Sequence, residues 1–75
     1  QHALRDFQFW RYTKLIEQIG FCHYRLGDQM LAKELFKEAI TLYKKMSQED
    51  RPHPTEMLQC LPETDELTTA IKNLI

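Results

Sequence analysis

The sequence predicts an all-α fold, an antiparallel helical hairpin completed by a C-terminal helix. Three observations carry that expectation. Apolar residues recur at i, i+3, i+4 and i+7 through most of the chain, and no stretch alternates with the period of a strand. Only two glycines and three prolines occur in 75 residues, too few turn formers to separate many short strands. A single Gly27-Asp28 pair divides the two longest periodic stretches, offering a left-handed helix end followed by an N-cap.

In the first stretch Tyr12, Leu15, Ile16, Ile19, Cys22, His23 and Leu26 follow the template of one helix face, with Leu4, Phe7 and Trp10 upstream at the same pitch. A helix is therefore predicted from near residue 3 to Leu26, with that row as its core face. The second stretch places Leu31, Ala32, Leu35, Phe36, Ala39, Ile40, Leu42 and Tyr43 on one face, and Lys33, Glu34, Lys37, Glu38, Lys44 and Lys45 on the other. It predicts a helix over about residues 29–47 whose cationic last turn suits the helix dipole. So short a connection makes the two helices antiparallel.

Residues 48–54 form a polar linker that Pro52 and Pro54 keep out of helix. Pro54 can open a short turn carrying Met57, Leu58, Cys60 and Leu61, which Pro62 interrupts. Thr64 or Asp65 then caps a last helix with Leu67, Ala70, Ile71 and Leu74 on one face.

Composition narrows the function classes. An apolar fraction of 43% with 28% charged residues is that of a globular chain. A chain of this size buries only about 60% of its unfolded surface, so the core must be efficient or be braced by something else. The net charge of −1 lacks the basic excess of a dedicated nucleic-acid binder. It conceals a polarity: residues 1–46 carry eight Lys/Arg against five Asp/Glu, and residues 47–75 carry two against six. Arg5, Arg11, Lys14 and Arg25 make no continuous basic stripe, so no nucleic-acid partner is expected. Two cysteines, Cys22 and Cys60, fall short of the four to eight of a secreted mini-domain, and reduced thiols in a cytoplasmic or nuclear protein are expected. The chain reads without a signal peptide or membrane span. It begins at Gln1, and the expectation is a piece of a longer protein.

From Thr13 to Lys44 the chain resembles one tetratricopeptide repeat (TPR), a helix–turn–helix unit of 34 residues. Ile16, Ile19 and Gly20 fit the large–large–small positions of the family's first helix. His23 stands where Tyr is usual, and Tyr24 follows it. Gly27-Asp28 matches the turn, Ala32, Phe36 and Ala39 match the second helix, and Lys44 replaces a common closing Pro. The resemblance covers 32 of the 75 residues and does not continue in register: one period on, the small position falls on Pro54, and one period back the second-helix positions fall on His2 and Arg5. One domain is expected, with residues 1–12 extending the first helix, 13–46 forming the TPR-like hairpin, 47–62 an irregular linker and 63–75 a covering helix. A repeat cannot bury its apolar face alone.

The resemblance implies a protein or peptide partner on the concave face of the first helix, at Lys14, Glu17, Phe21, Tyr24 and Arg25. Glu17 and Phe21 stand where the chaperone-tail-binding subgroup has Lys and Asn, which argues against that clamp. Phe7, Phe9 and Trp10 are a candidate assembly surface, because four aromatics within residues 7–12 cannot all face one side. The alternative reading is an assembly element that homodimerises through its helices. A third is a three-helix trafficking bundle resembling the microtubule-interacting-and-trafficking domain. No catalytic residue, metal site or cofactor is expected. Cys22 and His23 are adjacent on a helix, so their side chains diverge by about 100°. His2, His23 and His53 share no ligand spacing, and Glu63, Asp65 and Glu66 read as helix-start charges.

Overall fold

The computed structural model describes residues 3–75, with side chains from Asp6 onward; the expectations for His2, Leu4 and the Arg5 side chain lie outside the described residues. The fold is all-α. Four helices follow in order: α1 (Ala3–Arg25), α2 (Gln29–Lys44), α3 (Thr55–Cys60) and α4 (Glu66–Lys72).

The α1–α2 turn forms for local reasons. Gly27 adopts φ +98°, a left-handed conformation that costs other residues about 1–2 kcal/mol. Its N–H donates to the Tyr24 carbonyl, and the Asp28 N–H donates to the His23 carbonyl at 2.9 Å. These are the two bonds of a Schellman C-cap. Asp28 then caps α2 by accepting from the Leu31 N–H at 3.2 Å. One short turn thus satisfies both helix ends, and α2 returns antiparallel along α1. At about 1.5 Å per residue, α1 is roughly 10 Å longer than α2.

Helix α2 is the centre of the core. Ala32, Phe36, Ala39, Ile40 and Tyr43 are buried on it, joined by Met57, Leu61, Ile71 and Leu74 from the C-terminal half. No described α1 side chain stands among these buried apolar ones. Among the described residues of α1, Thr13, Glu17 and Gly20 are the buried positions, with Ile16 and Tyr24 partly buried against the core. This corrects the face predicted for α1, since Tyr12, Leu15, Ile19 and Leu26 are exposed, as is Cys22. The cause is Gly20. A Cβ there would lie 2.8 Å from Phe36 Cε1 and 3.2 Å from Leu35 Cβ, so close approach of α2 selects the side of α1 that carries the glycine.

The C-terminal half also differs in detail from expectation. Helix α2 stops at Lys44, where Lys45 C-caps it. The linker contains α3, and α3 packs directly on α1. Arg51 fixes the approach: its guanidinium donates to the carbonyls of Tyr43 (2.8 Å), Met46 (3.2 Å) and Leu74 (3.1 Å). Asp65 N-caps α4 by accepting from the Leu67 N–H at 2.9 Å, and its carboxylate meets Lys33 of α2 at 2.9 Å. The C-terminal part is thus two short helices, of six and seven residues, and both α3 and α4 take part in covering the hairpin.

Candidate interaction surfaces

The side of α1 expected to receive a partner is occupied by the chain itself. Glu17, Gly20 and Tyr24 line this side with Thr13, at the i, i+4, i+7 and i+11 positions of one helical row. Glu17 is fully buried. Its Oε1 accepts from the Tyr43 hydroxyl and from Lys14 Nζ at 3.1 Å, and its Oε2 accepts from the Met57 N–H at 3.1 Å. That last bond caps α3, whose N-cap residue is Pro54 and supplies no side-chain acceptor. Lys14 spends its remaining donors on Glu56 Oε1 at 2.7 Å and the His53 carbonyl at 3.0 Å. Among the described residues no buried side-chain polar atom lacks a partner, as a buried network requires.

The electrostatics follow from this packing. Burial pushes the Tyr43 phenol well above the ordinary tyrosine range, and the adjacent Glu17 carboxylate adds to the shift. Partial burial pushes the Glu56 carboxyl up, but the hydrogen bond and charge of Lys14, with a backbone N–H, outweigh it and hold the group below its usual value. Asp65 is held low by its hydrogen bond from Lys33 and by the Leu67 N–H, and the same carboxylate raises Lys33.

Of the five residues assigned to a concave binding face, three are engaged within the fold. Glu17 is corrected from a surface contact to a buried hub, because Tyr43 and the α3 N-terminus both need an acceptor there. Lys14 is half-buried and spent on Glu17, Glu56 and His53. Tyr24 stacks on Phe36 with ring centroids 6.4 Å apart. Phe21 is half-buried and Arg25 exposed, the Arg25 guanidinium lying 5.5 Å from the Phe21 ring centroid. In the candidate assembly surface, Phe7 and Trp10 are exposed and lie parallel within 6°, centroids 6.5 Å apart. Phe9 is half-buried, facing a cleft of about 170 Å³ with Trp10 and Met46 among its walls.

The surface missed by pattern reading is the outer face of α1. Tyr12 (48% exposed), Leu15 (52%), Ile19 (38%) and Leu26 (82%) form a ridge at heptad spacing, and Met30 and Leu31 at the start of α2 are exposed as well. Its signal in the sequence is the competing row Thr13–Glu17–Gly20–Tyr24, which holds the one residue small enough for a helix crossing.

Cys60 is half-buried and burial pushes its thiol up, away from nucleophilic character. Among the described residues no three His, Cys, Asp or Glu side chains group as a metal would require, and no helix is long and apolar enough to cross a membrane. No family model matches the chain, and neither a curated protein nor a solved structure matches it.

Proposed function

We propose that the chain is a non-catalytic protein–protein interaction module, built on a TPR-like hairpin, that docks a partner helix or extended peptide. The observation that carries this reading is the uncovered apolar ridge Tyr12–Leu15–Ile19–Leu26 on α1. Exposed apolar residues scattered singly need no explanation, but a contiguous row along one helix is the pattern of a docking face. The face differs from the one the family resemblance suggests, since α3 covers that side. A cytoplasmic or nuclear setting, in which Cys22 and Cys60 stay reduced, belongs to the same reading.

Selection from a displayed library of random helical and extended peptides tests it, comparing the wild type with Leu15→Gln/Ile19→Gln. Enriched peptides that lose binding to the double variant support the docking face. Enrichment indifferent to the variant, or none, removes it. The second reading, a homodimerising assembly element, is favoured by the exposed parallel pair Phe7 and Trp10. Light scattering over a concentration series decides it: a species near 18 kDa that Trp10→Ala returns to 9 kDa establishes self-association, and a monomer throughout excludes it.

A further inference from the structure

Two Phe-x-x-x-Arg units recur on α1, Phe7/Arg11 and Phe21/Arg25, two heptads apart. In both, the guanidinium leans back over the ring one turn before it, at 5.8 Å and 5.5 Å from the centroid. A guanidinium over an aromatic face is held in a narrow range of orientations while its outer N–H groups stay free. Fourteen residues correspond to about 21 Å of helix and about 40° of rotation, so the two cations flank the Tyr12–Leu15–Ile19 ridge along one edge. Neither has a carboxylate partner among the described residues. The other carboxylate and ammonium of this stretch, Glu17 and Lys14, are spent on each other and on α3. The exposed charge of α1 from Phe7 to Arg25 is therefore cationic at both ends of an apolar row.

We infer that the α1 ridge is built for an acidic amphipathic helix of another protein, one apolar row on Tyr12, Leu15 and Ile19 and carboxylates reaching Arg11 and Arg25. This rests on the docking reading above and names its partner chemistry. Pairing of α1 with α1 of a second copy brings only cations to this edge. An antiparallel arrangement centred on Gln18 sets Arg11 against Arg25 of the other copy, and like charges so placed oppose association. Helix α4 of a second copy carries one carboxylate, Glu66, against one cation, Lys72, and is seven residues long, about half the span between the two cations at about 1.5 Å per residue. The neighbouring Asp65 and Glu63 are already paired with Lys33 and Lys72, and Ile71 of that helix is buried.

The test uses three synthetic helical peptides of 22 residues sharing one Leu/Ile heptad row and flanked by Glu, Gln or Lys, with binding followed by fluorescence anisotropy. The Glu peptide is expected to bind at least about tenfold tighter than the Gln peptide at low salt and to lose that advantage near 1 M salt, where the screening length falls to about 3 Å. The Lys peptide should not bind. Arg11→Gln/Arg25→Gln should erase the preference with an unchanged helical circular dichroism spectrum. Equal binding of the Glu and Gln peptides, both lost in Leu15→Gln/Ile19→Gln, leaves the docking face standing and overturns the acidic partner. Failure of all three peptides overturns the face as well. A dimer abolished by Leu15→Gln/Ile19→Gln assigns the ridge to a second copy and overturns the inference.

Discussion

Helix α1 has two sides whose chemistry is inverted relative to an ordinary amphipathic helix. The side turned inward has Thr13, Glu17 and Gly20 as its buried positions among the described residues, a hydroxyl, a carboxylate and no side chain at all, with Ile16 and Tyr24 packed only in part against the core. The side turned to solvent presents Tyr12, Leu15, Ile19 and Leu26. Burying the apolar row would gain roughly 1.5–3 kcal/mol for each large side chain. The fold forgoes this because the inner row offers two things the outer one lacks: a glycine where α2 crosses, and an acceptor for three donors. Close approach and polar satisfaction together decide the orientation, and the apolar row is left available.

The largest effect expected from this contrast is on the inner side. Glu17→Ala leaves the buried Tyr43 hydroxyl and the Met57 N–H without their acceptor, while Lys14 keeps Glu56 and the His53 carbonyl. Each buried donor left unsatisfied costs about 1–3 kcal/mol. For a chain of this length total stability is on the order of 4–11 kcal/mol, so urea denaturation should find the variant largely or marginally unfolded. A loss below about 1 kcal/mol would show that the hub is dispensable.

Gly20→Ala comes next. Alanine is the better helix former by about 0.5–1 kcal/mol, yet its Cβ would press on the buried Phe36 ring and the Leu35 Cβ. Overpacking of this kind costs about 1–3 kcal/mol, and the net is a destabilisation read from the denaturation midpoint. A stabilised variant would mean that α2 can retreat and that the crossing does not fix the rotation of α1.

The pH dependence sharpens the same comparison: Tyr43 and Glu56 belong to the inner side of α1 and its contacts, and the Lys33–Asp65 pair ties α2 to α4. Tyr43 and Lys33 are raised in the fold, so each contributes stability fully below its unfolded value of about 10 and loses it as pH rises from there. Glu56 and Asp65 are lowered, so each contributes above an unfolded value of about 4 and loses it as pH falls through the lower folded value. Thermal midpoints should decline on both flanks. Tyr43→Phe should shallow the alkaline decline, and Glu56→Gln/Asp65→Asn the acid one. Unchanged flanks would detach these groups from stability.

The smallest effect belongs to the outer side. Leu15→Gln/Ile19→Gln replaces exposed residues with a good helix former, and stability should stay within about 0.5 kcal/mol of wild type per site. A larger loss would mean that this row contributes to the core after all.

The sequence made some of this plain and hid the rest for identifiable reasons. The Gly27-Asp28 turn and the core positions Ala32, Phe36 and Ala39 depend on residues that act where they stand, and each was legible; the cap of the last helix was narrowed to Thr64 or Asp65, and is Asp65. The orientation of α1 was legible only in part: the repeat resemblance put Gly20 at the family's small position, but apolar periodicity favours the Leu15–Ile19 row, and the pairing of Glu17 with Tyr43, 26 residues away, leaves no local signal. The same holds for Arg51, one polar residue in a polar linker until its three carbonyl partners come from two other parts of the chain.

The Glu17–Met57 bond also orders events in time. Six residues are far below the roughly 12–15 at which an isolated helix becomes even marginal in water. The side chain that caps α3 arrives from a position 40 residues earlier. The third helix therefore has no independent existence and forms only on a hairpin already closed. Run backwards, the same dependence makes residues 52–61 the first unit to detach, and amide hydrogen exchange should register its opening below the free energy of global unfolding. Each such opening uncovers the Glu17 end of the inner row of α1 while Gly20 stays packed against Phe36 of α2.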